Sequence, residues 1–178
     1  NWDAAAWSIT TQTLPSIGSA GDSITSPNVI PSVVEYLETL GSSPSRIILL
    51  HSPWQSPFSW YSMIENIDAS PSLPFSLSVD FFDHIVVHSN DNPISSSSIS
   101  SSNILILQLE DESNWNDDSV FALKSLLDSL NSLSENAIVI SHSLSAEILR
   151  HSDISSHSSL SSAISIAPAN VGSSLSLH

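Results

Sequence analysis

The sequence has no cysteine, four glycines and only three lysine or arginine residues among its 178 residues. Without cysteine there is no disulfide framework, no thiolate zinc site and no cysteine nucleophile. The formal net charge of −15 excludes nucleic acids and anionic membrane surfaces as partners, because both would repel the chain. No apolar run is much longer than about five residues, whereas a membrane-spanning helix needs about twenty.

Serine is abundant instead, with 45 serines in the chain. Regularly spaced blocks of Ile, Leu and Val lie among them, which favours a buried core over disorder. The length suits one domain, so we expect residues 1–178 to form a single, monomeric α/β unit. The chain begins at Asn1 rather than at methionine, as in a secreted protein whose leader has been removed, and we therefore expect an extracellular location.

The apolar blocks alternate between two periodicities. Short runs rich in β-branched residues predict buried strands, after a weaker early one, at 14–20, 46–51, 83–88 and 136–141. Spacings of three and four predict helices over 31–40, 58–67, 117–130 and 158–167. The serine tract 95–102 is predicted as a loop or a frayed helix start. Strands separated by helices imply a three-layer α/β/α sandwich with a parallel sheet of about five strands.

Chemistry in such sheets collects at the carboxyl ends of the strands, and four polar segments are expected there. The segment 21–25, Gly-Asp-Ser-Ile-Thr, is a turn that would present the Ser23 hydroxyl near a helix N-terminus. The segment 52–59 and the residue Asn90 each follow a predicted strand. Asp153 precedes His157 by four residues, close enough to orient the imidazole as a base.

In this order the segments resemble the sequence blocks of the SGNH hydrolases, also called GDSL esterases/lipases. Gly-Asp-Ser-Ile-Thr at 21–25 resembles the first block, whose serine is the nucleophile. The run 82–91, ending in His-Ser-Asn-Asp, resembles the third block, and the run 153–157 resembles the closing Asp-x-x-His block. His88 and Ser56 stand where the family has glycine, and one extra residue separates the acid from the histidine.

The resemblance implies a serine esterase of three-layer fold that needs no metal and no cofactor. Ser23 would be the nucleophile, His157 the general base and Asp153 the residue that orients it. The oxyanion would be held by the backbone N–H groups of Ser23 and Ser56 and by the side chain of Asn90. The residues expected to contact the substrate are Asp22, Trp54 and His88. We expect that substrate to be a small acyl or acetyl ester, acetylated carbohydrates included.

Two alternatives remain open. The segment 141–145, Ser-His-Ser-Leu-Ser, resembles the Gly-His-Ser-Leu-Gly nucleophile elbow of α/β-hydrolases, which would make Ser143 the nucleophile. Both flanking glycines are missing, and only 35 residues follow Ser143, fewer than we expect that fold to need. The second alternative is a non-catalytic binding or scaffold domain on the same fold.

Overall fold

The chain forms one sheet of six strands with helices on both sides, in a computed structural model that describes residues 14–41, 46–75 and 80–168. The strands are β1 (Ser16–Ile17), β2 (Arg46–Leu50), β3 (Ile85–His88), β4 (Ile104–Leu109), β5 (Ala137–His142) and β6 (Leu160–Ile166). The helices are α1 (Val29–Thr39), α2 (Tyr61–Ala69), α3 (Trp115–Ser132), α4 (Ala146–Leu149) and α5 (Ser152–Ser155). Four 3-10 turns accompany them: Pro57–Trp60, Phe81–His84, Ser96–Ser98 and Ser143–Ser145.

All the paired strands are parallel, in the order β1-β6-β5-β2-β4-β3. One face of the sheet is covered by α1 and α2, whose buried residues pack with Ile47, Leu49 and Ile140 in one apolar cluster. The other face is covered by α3, α4 and α5, which form a second cluster with Ile48 and Val139. The predicted three-layer α/β/α sandwich is confirmed, with six strands rather than about five.

The central strands explain why the sheet lies in the middle of the molecule. Every residue of β2 and of β5 is buried, as expected of parallel strands covered on both faces. In β2 successive side chains alternate between the two clusters, so Ile47 faces α1 and α2 while Ile48 faces α3. A continuous apolar run is therefore the correct signature of these strands.

The predicted last helix, 158–167, is wrong in type, because most of it is strand β6. Leu160, Ala163 and Ile164 have helical spacing, but Ile164 and Ala163 lie in different apolar clusters on opposite faces of the sheet. Pairing of β6 with β5 along its length supplies the backbone hydrogen bonds. Tertiary pairing thus overrides a local pattern that fits either structure.

Strand β4, of sequence Ile-Leu-Ile-Leu-Gln-Leu, lies where the sequence analysis predicts no element. The predicted helices 31–40, 58–67 and 117–130 correspond to α1, α2 and α3 with shifted ends. The serine tract 95–102 is a loop with one 3-10 turn, Ser96–Ser98. Among the described residues, no helix combines the length and the hydrophobicity that crossing a membrane requires.

Candidate active site

The Ser23 turn follows β1 at the carboxyl edge of the sheet. Gly21 has a φ of 91°, which glycine adopts without strain, and the Asp22 carboxylate accepts the Ser19 N–H at 2.8 Å. The Ser23 hydroxyl is exposed, and its oxygen lies 3.2 Å from Thr25 Oγ1 and 3.3 Å from Ser26 Oγ. The predicted nucleophile is therefore bonded to neighbouring hydroxyls of its own loop.

His157 and Asp153 lie at the opposite, amino edge of the sheet, which corrects the predicted triad. Both precede β6, and a strand of seven residues separates its two ends by about 20 Å. The His157 ring bonds to α3 instead, with 2.8 Å between its Nε2 and Asp128 Oδ1, and its Nδ1 accepts the Ser159 N–H. Since Ser23 follows β1, which pairs with the carboxyl end of β6, the three triad residues do not meet.

Asn90 and the Ser23 turn share the carboxyl edge but lie apart along it. Asn90 follows β3 at one end of the sheet, while the Asp22 carbonyl oxygen accepts a hydrogen bond from His142 at the end of β5. Three strand spacings separate β5 from β3, about 14 Å. The Asn90 side chain is consequently not placed to stabilise an oxyanion at Ser23.

The remaining predicted site residues lie at three different strands: Asp22 after β1, Trp54 and Ser56 after β2, and His88 at the end of β3. Ser56 begins the turn Pro57–Trp60, and its hydroxyl accepts the Phe58 N–H at 3.2 Å. Its φ of −96° is ordinary extended backbone, so serine can replace glycine there, and its role as an oxyanion donor stays a prediction. Trp54 is 89% exposed and His88, at the end of β3, is 2% exposed. That Asp22, Trp54 and His88 contact a substrate also stays a prediction.

The Ser143 turn, residues 142–145, is one of three places at the carboxyl edge where a described non-glycine residue has a positive φ, with Trp54 and Ala167. Strand β5 ends at His142, Ser143 has a φ of 55°, and the chain enters a 3-10 turn that leads directly into α4. A positive φ is unfavourable for a residue with a Cβ, by roughly 1–3 kcal/mol, and such strain clusters at functional sites. The half-buried Ser143 hydroxyl has no hydrogen-bond partner within the described part of the chain.

The Ser52 hydroxyl bridges the two peptide groups that flank Ser143. It donates to the His142 carbonyl oxygen at 2.7 Å and accepts the Leu144 N–H at 3.0 Å. Ser52 follows β2, the strand that pairs with β5, and the register Leu50↔Ser141 brings it beside Ser143. In a nucleophile elbow, the N–H after the nucleophile stabilises the oxyanion. Here that N–H, of Leu144, is already bonded to a side-chain oxygen.

A second hydrogen-bond network fixes the His142 ring on the other side of the turn. Its Nε2 lies 2.9 Å from the Asp22 carbonyl oxygen, which can only accept, so this nitrogen carries a proton. Its Nδ1 lies 3.1 Å from the Gln55 amide nitrogen, and the Gln55 oxygen accepts the Ser52 N–H at 2.9 Å. His142 thus ties the Ser23 turn to the segment after β2 and has no free nitrogen to serve as a base.

The segment after β2 also presents a second backbone donor. Trp54 has a φ of 66°, and its N–H donates to Glu112 Oε2 at 3.2 Å. Beside it, His51 is buried with its Nδ1 3.1 Å from the Ser52 carbonyl oxygen, and its Nε2 has no partner among the described residues. Burial lowers the pKa of His51, against the Ser52 hydrogen bond and the Glu112 charge. The ring is therefore neutral at pH 7.

Sequence analysis placed the segment 52–59 at this edge but gave no role to Ser52 or Gln55, and it did not include Glu112 in the site. The available signal was positional, because Ser52 follows a predicted strand as Ser143 does and adjacent parallel strands end at the same edge. Glu112 lies in an acidic run after β4, the strand that was not predicted. Its contact with Trp54 could not be inferred without that strand.

Within the described ranges, no group of three or more His, Asp or Glu side chains is arranged to hold a metal ion. Comparison with protein-family models, with curated proteins and with solved structures found no match to this chain. The geometry of the Ser143 turn is therefore the feature from which a function can be proposed.

Proposed function

We propose that this chain is a serine hydrolase that cleaves a small acyl ester by attack of the Ser143 hydroxyl. The observation that carries the proposal is the positive φ of Ser143 at a strand-to-helix turn on the carboxyl edge of a parallel sheet. A serine at such a turn, between strand β5 and helix α4, resembles the nucleophile of the α/β-hydrolase elbow, and this similarity supports the proposal. The proposed reaction is the ester hydrolysis that the sequence analysis predicts, but the proposed nucleophile is Ser143 instead of Ser23.

The chemistry runs through an acyl-enzyme. The Ser143 oxygen bonds to the ester carbonyl carbon while its proton passes to a base, and the carbonyl oxygen becomes the oxyanion. The C–O bond to the alcohol then breaks, the alcohol takes up the proton, and water releases the acyl group from Ser143. Within the described ranges, no imidazole nitrogen is hydrogen-bonded to the Ser143 hydroxyl in the resting state.

The oxyanion needs donors, and the Leu144 N–H is the first candidate. It must exchange its bond to Ser52 for one to the oxyanion as the tetrahedral intermediate forms. The Trp54 N–H is the second candidate, and it must exchange its bond to Glu112. One such donor typically contributes a factor of about 10²–10³ to the rate. Before substrate binds, the Ser52 hydroxyl oxygen and a Glu112 carboxylate oxygen accept the two N–H groups that would later donate to the oxyanion.

The substrate class follows from size and charge. The net charge of −15 disfavours polyanionic esters. Leu144, the residue after Ser143, is half-buried, so we propose a short acyl or acetyl group as the substrate, including one carried on a carbohydrate.

Covalent labelling tests the proposal. A fluorophosphonate probe should modify the parent protein on the peptide that contains Ser143, and Ser143→Ala should abolish the modification. Ser23→Ala is the matched control, because it removes a serine hydroxyl at the same edge and should leave labelling unchanged. Modification on Ser23, or equal labelling of Ser143→Ala and the parent, would contradict the proposal. A parent protein that neither labels nor hydrolyses p-nitrophenyl acetate would favour the scaffold alternative.

A further inference from the structure

One long side of strand β3 (Ile85–His88) is not paired with another strand. The sheet order places β3 last, with β4 on one side of it, and within the described part of the chain no strand lies on the other side. We call this unpaired side the free side of β3. A strand at the end of a sheet presents backbone N–H and C=O groups that can pair with a further strand. The free side of β3 is therefore a surface on which a second chain could dock.

The backbone hydrogen bonds identify which groups of β3 point outward. The His88 carbonyl oxygen accepts the Glu110 N–H at 2.9 Å, so the backbone groups of His88 face β4. Because successive residues of a strand alternate in direction, the N–H and C=O groups of Val87 and the C=O group of Ile85 face the free side. The Ile85 N–H is already bonded to the Phe82 carbonyl oxygen. Three backbone groups are thus open to an added strand, and none of them has a hydrogen-bond partner among the described residues.

Exposed apolar side chains lie along the same surface. Val87 is 52% exposed, and it shares a face of the sheet with Ile85. Phe82, just before the strand, is 68% exposed, and its ring makes an edge-to-face contact with the exposed ring of Phe58. The strand itself has no lysine, proline or bulge, three of the features that commonly prevent pairing at the end of a sheet. An added strand would cover apolar surface as well as satisfy backbone groups.

The charges around the free side of β3 indicate the kind of partner. The segment 80–91 contains three aspartates, Asp80, Asp83 and Asp91, and no lysine or arginine. If two copies of this chain paired antiparallel through Val87, Asp83 of each copy would come near Asp91 of the other, because both lie four residues from the centre of the pairing. Like charges across a strand pair are destabilising, and the net charge of −15 adds to the repulsion. A strand with lysine or arginine near both of its ends would meet opposite charges instead.

We propose that the free side of β3 binds an extended, basic segment of a partner protein, which adds to the sheet as a further strand. The Val87 N–H and C=O groups form the central hydrogen bonds, and the Ile85 carbonyl oxygen accepts another. Main-chain pairing of this kind supplies affinity, and the alternating side chains of the bound segment supply specificity. Binding there does not require Ser143 to be reactive.

Titration with a blocked peptide, Lys-Lys-Val-Thr-Val-Lys-Lys, followed by amide chemical shifts at residues 85–89, tests the surface. Saturable shifts are expected, with the largest at the Val87 N–H because it gains a hydrogen bond. The same peptide with glutamate in place of each lysine should bind at least about tenfold more weakly, through charge repulsion. The lysine peptide with its three central amides N-methylated should also lose about tenfold in affinity, because it can no longer donate the central hydrogen bonds.

Val87→Pro tests the same pairing from the side of the protein. Proline removes the outward N–H without removing a hydrogen bond to β4, and this is a position where strands at the end of a sheet tolerate it. The variant should bind the lysine peptide about tenfold more weakly. Val87→Thr is the matched control, because it keeps the N–H and a β-branched side chain, and it should change the affinity by about twofold at most. Unchanged amide shifts in β4 and β5 establish that Val87→Pro is folded. If they change, the N-methylated peptide decides on the parent protein.

Equal affinities for the lysine and glutamate peptides would overturn the basic partner. Equal affinities for the lysine peptide and its N-methylated form would overturn strand addition, and so would shifts that never saturate. Analytical ultracentrifugation of the protein alone tests a second copy as the occupant. The parent should sediment as a monomer, whereas a dimer that Val87→Pro dissociates would assign the free side of β3 to self-association and overturn the proposal.

Discussion

The two edges of the sheet carry the same kinds of side chain and use them differently. At the amino edge, Arg46 bonds to Glu135 and to the carbonyl oxygens of Ser100 and Ser102, and both nitrogens of His157 are hydrogen-bonded. At the carboxyl edge, His51 has an unpartnered Nε2 within the described ranges, and Trp54 and Ser143 have positive φ angles.

The contrast separates polar groups that stabilise the fold from polar groups that do not. At the amino edge, the hydrogen bonds of Arg46 connect the start of β2 to the segments that precede β4 and β5, and the hydrogen bond of His157 connects the segment before β6 to α3. Unsatisfied buried polar atoms and strained backbone lower stability, and proteins retain them mainly where function requires them. Within the described ranges most of these departures lie at the carboxyl edge, while Ser134 and the unpartnered Ser159 hydroxyl lie at the amino edge. This distribution agrees with the general placement of sites in parallel sheets.

Breaking the amino edge should have the largest effect on folding. Arg46→Met removes one ion pair and two hydrogen bonds to carbonyl oxygens, and it leaves Glu135 without its partner. The Arg46 side chain is only 10% exposed, so we expect the free energy of unfolding to fall by about 3 kcal/mol. Urea denaturation of the parent and the variant measures the difference.

Lys124→Met is the control for Arg46→Met, because it removes the same charge from an exposed position of α3. It should change the free energy of unfolding by less than about 0.5 kcal/mol. A loss in Lys124→Met as large as that in Arg46→Met would show that net charge, rather than the contacts of Arg46, stabilises the amino edge.

At the carboxyl edge, Ser52→Ala should separate stability from reactivity. The variant leaves the Leu144 N–H without its partner, while the His142 carbonyl oxygen keeps the Ser145 hydroxyl, so the free energy of unfolding should fall by about 2 kcal/mol. The same change frees the Leu144 N–H for an oxyanion, so fluorophosphonate labelling of Ser143 should become faster. Ser59→Ala, which removes a hydroxyl bonded to the Ser56 carbonyl oxygen, is the control and should leave the labelling rate unchanged. Slower labelling in Ser52→Ala would mean that its hydroxyl is itself needed at the site.

The fold could be predicted from the sequence where burial alone decides the structure. Strands β2 and β5 are continuous apolar runs buried on both faces, and helix α3 shows its apolar spacing over most of its length. The segment 158–167 could not be assigned in this way, because its apolar residues fit both a helix and a strand. Only its pairing with β5 decides between the two.

That one misassigned element also misplaced the predicted site. With a helix over 158–167, His157 would follow a strand and lie at the carboxyl edge with Ser23. With strand β6 there, His157 precedes a strand and lies at the amino edge. A sequence motif does not by itself show whether its residues precede or follow a strand, and therefore does not show at which edge of the sheet they lie. The turn at Ser143 was visible as an alternative, but its positive φ and its contacts with Ser52 require the structure.

Two serines with positive φ, one at each edge, allow a finer comparison. Ser134 has a φ of 58° just after α3, where the Glu135 N–H bonds back to the Leu130 carbonyl oxygen, and Ser143 has a φ of 55°. Glycine relieves the strain at such positions, so Ser134→Gly and Ser143→Gly should each raise the free energy of unfolding by about 1 kcal/mol. Thermal denaturation measures both. Only Ser143→Gly should also abolish labelling, and a destabilised Ser143→Gly would show that the serine side chain supports the turn.

The smallest expected effect is a pH dependence that originates at the carboxyl edge. The pKa of His51 is lowered by burial, so the unfolded chain, with an ordinary value of 6.5, binds a proton that the folded chain excludes. Stability contributed by the neutral ring is present above pH 6.5 and is lost as the pH falls toward the lowered pKa. At pH 6 this loss is at most about 0.8 kcal/mol for one histidine. Measured from pH 8 to pH 5, His51→Gln should therefore lose less stability than the parent does, whatever its absolute stability. An identical pH profile in the two proteins would mean that His51 takes up its proton in the folded state as readily as in the unfolded state, and that its buried nitrogen is not held neutral at this edge.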